Sequence, residues 1–225
     1  MINYLTQLFE HTRYALSSGL LILLFIITLF SQLSAQKHHP FLYWLVILAT
    51  STAGTTMSDY MDRTLGLGYA YASIILIIIL IFTLLLWRYS TGSLAVSNVR
   101  DKKSELFYWF TILFSNTLGT AFGDFLADSS GLGFIGGALL IASLIALTIL
   151  AYYYTKISHI ILFWTAFVLT RPFGATFGDL LTKPIAQGGL NLGTLGSSII
   201  LATILVALII FTSLKLPRKK LSSHN

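Results

Sequence analysis

Residues 107–133 read F-Y-W-F-T-I-L-F-S-N-T-L-G-T-A-F-G-D-F-L-A-D-S-S-G-L-G. An aromatic triplet opens the stretch, an aspartate follows fifteen residues after Trp109, and a glycine-bounded turn closes it. Between Trp109 and Asp124 lie only apolar, small and hydroxyl-bearing residues plus Asn116. On an α-helix rising about 1.5 Å per residue, Trp109 and Asp124 stand roughly 22 Å apart, most of a bilayer core about 30 Å thick. The stretch is a helix that crosses a membrane while carrying a polar motif in its second half.

The same register occurs twice more. Trp44 precedes Asp59, and Trp164 precedes Asp179, by the same fifteen residues, and a glycine (Gly54, Gly119, Gly174) follows each tryptophan by ten. The tails read G-T-T-M-S-D, G-T-A-F-G-D and G-A-T-F-G-D. Gly66-Leu67-Gly68 and Gly131-Leu132-Gly133 each begin seven residues after their aspartate; the third copy has a longer connection, with Gly189-Leu190-Asn191-Leu192-Gly193. Three copies in one register make an internal repeat. Each unit is a helix pair: a first helix with the Trp-Gly-Asp pattern, a turn, and a very apolar return helix. Residues 74–81, an unbroken Ile/Leu block, belong to such a return helix. Two crossings bring the chain back to its starting side, so the units are parallel. Their first helices are expected around one axis along the membrane normal.

Composition agrees. Of 225 residues, 56% are hydrophobic and 10% charged, and mean hydropathy is +0.81, against roughly 25% charged in an ordinary soluble domain. A water-soluble globule and a disordered chain are both excluded. Spans are expected at about 14–33, 41–62, 67–88, 106–127, 132–155, 158–181 and 193–215. The fold class is therefore all-α: a polytopic transmembrane bundle of about seven spans in a single membrane domain over 1–225. It consists of three parallel helix-pair repeats, at about 41–88, 106–155 and 161–215, and one leading helix at about 14–33. The apolar stretch after Tyr14 exceeds the roughly 7–15 residues of a signal-peptide core, and Leu33 stands where a cleavage site wants a small residue. It is expected to be a retained span.

The net charge of +6 is a topology signal. Ten of the fourteen Lys and Arg, among them Lys37, Arg88, Arg100, Lys102, Lys103 and the run Arg218-Lys219-Lys220, fall on one side of the spans. That side is expected to be cytoplasmic, which puts the N-terminus outside and the C-terminus inside, in a cytoplasmic (inner) membrane. The partners expected are a lipid bilayer and a small cation or proton, with no nucleic acid. A homo-oligomer is compatible with everything read so far. Without cysteine there are no disulfides and no thiolate metal sites, and nothing implies a cofactor.

The order F-Y-W, G-T-x-x-G-D, G-L-G and R-P-x-G-A-x-x-G-D resembles a bacterial family of uncharacterised integral membrane proteins built from a repeat of unknown function. The resemblance covers about residues 41–215 and is strongest at 107–133 and 170–193. It implies four copies of the unit as a rule. Residues 1–40 contain no Gly-Thr-x-x-Gly-Asp pattern, so only the return helix of a truncated first unit remains there. The resemblance brings no activity with it.

The chemistry must come from the residues. Asp59, Asp124 and Asp179 are expected in the outer half of the membrane, where ionisable groups are rare and mark ion or proton pathways. Each lies toward a helix C-terminus, whose dipole disfavours a negative charge, so a proton or cation is expected to neutralise it. Thr55 and Thr120 lie four residues before their aspartates, and Thr56 and Thr176 three before theirs. Hydroxyl and carboxylate oxygens suit protons, Na⁺ and hard divalent ions, so the three aspartates are also the candidate metal ligands. The position eight before each aspartate holds Ser51, Asn116 and Arg171. Arg171 is expected to pair with one of the acids or, equally, to act as a tethered cation that competes with the substrate. Trp44, Trp109 and Trp164 are expected at the membrane interface.

These residues point to a non-enzymatic transporter of a small cation, a metal ion or a proton-coupled solute, through a buried site of Asp59, Asp124, Asp179, Thr55, Thr56, Thr120, Thr176, Asn116 and Arg171. The alternative is a structural or assembly protein whose glycines serve close helix packing. An intramembrane aspartyl protease fits less well, because such an enzyme needs two carboxylates in different environments, not a threefold repeat.

Overall fold

The computed structural model describes residues 2–35, 39–99 and 101–215. Lys37, His38, Arg100 and the basic run 218–220, on which the expected orientation partly rests, lie outside the described residues. Among the described residues the chain is helical, with no strand. Seven α-helices follow in order: α1 (Ile2–Ser34), α2 (Pro40–Asp59), α3 (Gly68–Thr91), α4 (Lys102–Asp124), α5 (Gly133–Tyr154), α6 (His159–Thr182) and α7 (Gly193–Lys215). Stretches in α1, α3, α5 and α6 are long and apolar enough to cross a membrane. The protein is an all-α membrane protein whose first helices, α2, α4 and α6, alternate with return helices α3, α5 and α7.

Local sequence explains most boundaries. Pro40 opens α2, where its missing N–H would have had no helical partner. Asp101 caps α4: its carboxylate accepts from the Ser104 backbone N–H (3.0 Å) and from the Ser104 hydroxyl (2.6 Å). The turns before the return helices need left-handed backbone. Gly66 and Gly68 supply it in the first unit and Gly131 and Gly133 in the second; in the third, Asn191 (φ 56°) and Gly193 (φ 63°) take the two positions. Asparagine tolerates that region better than any β-branched residue.

The chain divides into two compact units, residues 1–177 and 178–225. In the first, one apolar cluster joins Phe25 and Leu29 of α1 to Val46, Ala49 and Ala53 of α2 and to Trp109 and Ile112 of α4. A second joins Ala72, Leu76 and Leu80 of α3 to Leu118 and Ala121 of α4. Thus α1 stands against α2 as α3 stands against α4, in the place of a return helix. The second unit holds the end of α6, a 3₁₀ turn (Ile185–Gln187) and α7. Its connection folds back by backbone bonds from Leu190 N–H to Leu180 O (2.7 Å) and from Asn191 N–H to Lys183 O (2.8 Å).

The tryptophans correct an expectation. Trp44 is 62% exposed, but Trp109 and Trp164 are 1% and 3% exposed, packed inside the bundle rather than offered to lipid headgroups. Trp109 lies against Tyr43 (5.4 Å between centroids) and its indole N–H donates to Glu105 Oε1 (3.4 Å). Trp164 meets Trp87 edge-on (5.5 Å) and donates to the Leu94 carbonyl (3.0 Å). A ring with an apolar body and one donor satisfies both inside a helix bundle as well as at an interface.

Candidate functional site

The first helices meet through their glycines. A Cβ added at Gly54 would stand 2.8 Å from Asn116 Cβ and 3.0 Å from the Thr117 backbone nitrogen. At Gly119 it would collide with Arg171 Cβ, and at Gly123 it would stand 2.8 Å from Ala175 Cβ. The glycine five residues before each of the first two aspartates thus seats the residue eight before the next aspartate. Only glycine lets two helix backbones come this close, and such small-residue faces drive association where lipid is as apolar as leucine.

This packing decides which polar residues converge. The position four before the aspartate faces the seam between first helices, and there the Thr55 and Thr120 hydroxyls come within 3.4 Å of each other. The position three before it turns toward the preceding return helix instead. Ala121 packs on α3. The Thr56 carbonyl accepts from Ser18 of α1 (2.9 Å), while its hydroxyl bonds back to Thr52 O and Ala53 O. Thr176 places its methyl against Gly137 of α5 and donates to the Pro172 carbonyl (2.9 Å). Thr56 and Thr176, expected in one site with Thr55 and Thr120, therefore face elsewhere, because one residue turns the helix by about 100°.

Asn116 is 8% exposed, and among the described residues its Nδ2 has no hydrogen-bond partner; neither has the buried Ser58 Oγ or Arg171 Nε. Among the described residues Arg171 forms no ion pair with the acids expected to hold it. Its guanidinium carbon lies 4.7 Å from the Phe167 ring centroid, within electrostatic reach of Tyr108, and a cation over an aromatic face is attracted by the ring quadrupole. The Tyr108 hydroxyl in turn stands 3.3 Å from that of Tyr43. The ion pair at Asp59 comes from Arg63, one turn along (3.9 Å).

Asp59 and Asp124 each end an α-helix that runs on as one π-helical turn, Tyr60–Thr64 after the first and Phe125–Ser129 after the second. A π turn widens the helix and often marks a functional position. Asp179 has no such turn: α6 stops three residues later, before Pro184. Asp59 and Asp124 belong to the first compact unit and Asp179 to the second. Among the described residues no group of three or more His, Cys, Asp or Glu is placed to hold a metal ion.

Sequence reasoning passed over two further groups. Tyr69, at the start of α3, lies within electrostatic reach of Asp124, Asp62 and Asp128. Glu105 accepts from Gln32 of α1 (3.0 Å) as well as from Trp109. Tyr69 could have been found from its place directly after the Gly66-Leu67-Gly68 turn, seven residues beyond Asp62. Nothing local marks Glu105 as more than a first-turn acid.

The class is now defined: an integral membrane protein of parallel helix pairs, whose first helices meet through a glycine-seated, hydroxyl-bearing seam. Three matches, over residues 42–93, 107–158 and 162–215, place the chain in the family described as Repeat of Unknown Function (DUF347), to which it belongs. No curated protein and no solved structure matches it.

Proposed function

We propose that the protein is a transporter of a small cation, a metal ion or a proton exchanged for a solute, that moves along the seam between its acid-bearing first helices. The observation that carries this reading is the polar content of that seam. The Thr55 and Thr120 hydroxyls meet there, and Asn116 and Ser58 keep polar atoms buried without a partner among the described residues. An unsatisfied polar group in an apolar medium costs a few kcal/mol, about 1–3 by mutational measures, so a membrane helix keeps one for a reason. Asp59 and Asp124 lie one turn further along the same helices, where protonation or a bound cation cancels the charge. Because either can do so, one can be exchanged for the other. The protein lies in the cytoplasmic membrane, with its N-terminus outside and its C-terminus in the cytoplasm.

The assembly reading has its own support, in hydroxyls such as Thr56 and Thr176 that bond back to their own helices. One experiment separates the two: flux in proteoliposomes over Na⁺, K⁺, Mg²⁺ and Mn²⁺, with and without a pH gradient. Wild type should move at least one ion, and Asp124→Asn and Asp179→Asn should stop it while the protein stays folded. A wild type that moves none, or variants that move ions normally, would leave the assembly reading standing.

A further inference from the structure

Arg171 brings into the bundle a charge it cannot shed, because a guanidinium does not deprotonate in proteins. Its Cβ lies over Gly119 of α4, and its guanidinium carbon turns back along α6 to the ring of Phe167, one turn earlier (4.7 Å). That direction leads away from the acids. Asp124 and Asp179 stand eight residues past Asn116 and Arg171, about 12 Å further along their helices. Residues 178–225 hold no acid besides Asp179, so the second compact unit has no other carboxylate to bring to this place. Among the described residues, Tyr108 is the ionisable group within electrostatic reach of Arg171.

The polar atoms around the guanidinium are short of an acceptor. At about 100° per residue, Tyr108, Ser115 and Gly119 fall on one face of α4. A side chain that leaves Gly119 in the direction of Tyr108 therefore passes Ser115. Ser115 is 0% exposed, and its Oγ has no hydrogen-bond partner among the described residues. The same holds for Arg171 Nε and for Asn116 Nδ2, on the adjoining flank of α4. Arg171 Nε and Asn116 Nδ2 only donate, and a serine hydroxyl can donate. Buried polar atoms are paired as a rule. Phe167 offers the cation a ring face, but no oxygen to accept from it. An uncancelled positive charge and a set of idle donors ask for the same thing.

We propose that Arg171 holds a small monovalent anion, a carboxylate group or chloride, in the seam between α4 and α6, with Ser115 and Asn116 flanking it as donors. One buried guanidinium balances one negative charge, and a dianion would be left with an uncompensated buried charge. The planar fork suits a carboxylate, which it can meet with two parallel N–H bonds. The inference goes beyond cation transport and does not rest on it. The aspartates lie two helix turns further along, so anion and cation occupy different levels of the bundle.

The test is equilibrium binding of radiolabelled acetate and, in a separate arm, radiolabelled chloride to the full chain in nanodiscs of uncharged lipid, in zwitterionic buffer. Wild type should bind at least one of the two saturably. Binding of acetate alone assigns the site to a carboxylate group, and binding of chloride shows that a halide suffices. Arg171→Gln should weaken the binding by about tenfold or more, the loss expected when a hydrogen-bonded charge is removed. Ser115→Ala, a change of one hydroxyl, should weaken it several-fold in a chain that still elutes as folded protein. Saturable binding of neither ion would overturn the proposal. So would unchanged affinity in Arg171→Gln, or in Ser115→Ala if the arginine variant does not fold. Because binding is read without flux, a chain that moves no cation gives the same answer.

Discussion

Trp44 on α2 and Trp109 on α4 hold the same place in the same motif, yet one is 62% exposed and the other 1%. The difference does not come from their own helices. Trp109 has a preceding helix pair to pack against, Tyr43 and the α1 cluster among it; Trp44 has only α1 before it. In a chain of parallel repeats, environment is set by the neighbour on each side, so identical sequence yields unequal energetics at the ends.

The largest expected effect tests whether the glycine seats differ as their neighbours do. Gly119→Leu drives a side chain into the Arg171 backbone, which cannot swing away as a flexible tip would. Expression in membranes with detergent-solubilised gel filtration should show no folded protein. A folded Gly119→Leu variant would mean that the two helices are not in contact.

Next comes the tryptophan pair itself. Trp109→Ala should lower stability by about 3–5 kcal/mol, the range for emptying a packed aromatic site, and Trp44→Ala measured on isolated monomer by well under 1 kcal/mol, as for an exposed position. Reversible unfolding in mixed micelles reads both. Equal losses would erase the contrast between α2 and α4.

Glu105 sharpens it further, because it ties Trp109 to α1 while α2 has no equivalent acid. Glu105→Ala leaves the Gln32 amide and the Trp109 indole N–H without their acceptor. The expected loss is about 1–3 kcal/mol, recovered in large part by Glu105→Gln, which keeps an acceptor oxygen. If Glu105→Gln were as damaging as Glu105→Ala, charge rather than hydrogen bonding would be at work.

The smallest effect lies at the helix starts. α2 begins with a proline and no side-chain cap, whereas α4 begins with Asp101. Bonds from the Ser104 hydroxyl and backbone N–H hold the Asp101 carboxyl below the ordinary carboxylate value of about 3.9. Its folded value is the lower one, so the cap's contribution is full above that ordinary value and fades as pH falls through the depressed one. Asp101→Ala should cost about 1 kcal/mol near neutral pH and nothing measurable in strong acid. A melting-temperature difference between variant and wild type that persisted unchanged into strong acid would count against the cap.

The sequence by itself determined a great deal here. Apolar run lengths placed all seven helices, and the Trp-Gly-Asp register defined the repeat, because bilayer thickness and helix rise tie span length to residue number. The glycine turns were equally legible, since left-handed backbone favours few residues. Tertiary structure alone decided the rest. Thr55 and Thr56 are adjacent, share a chemistry and looked like one site, but the first hydroxyl meets Thr120 while the second bonds back to Thr52 O and Ala53 O of its own helix. Which of two faces 100° apart meets which neighbour depends on the order of helices around the bundle, and no local pattern encodes that order. Arg171 is the same lesson in charge. Its distance in sequence from an aspartate said nothing about reach: the side chain lay over Phe167, one turn back on its own helix, and near Tyr108, which the packing of α4 on α6 brought to it.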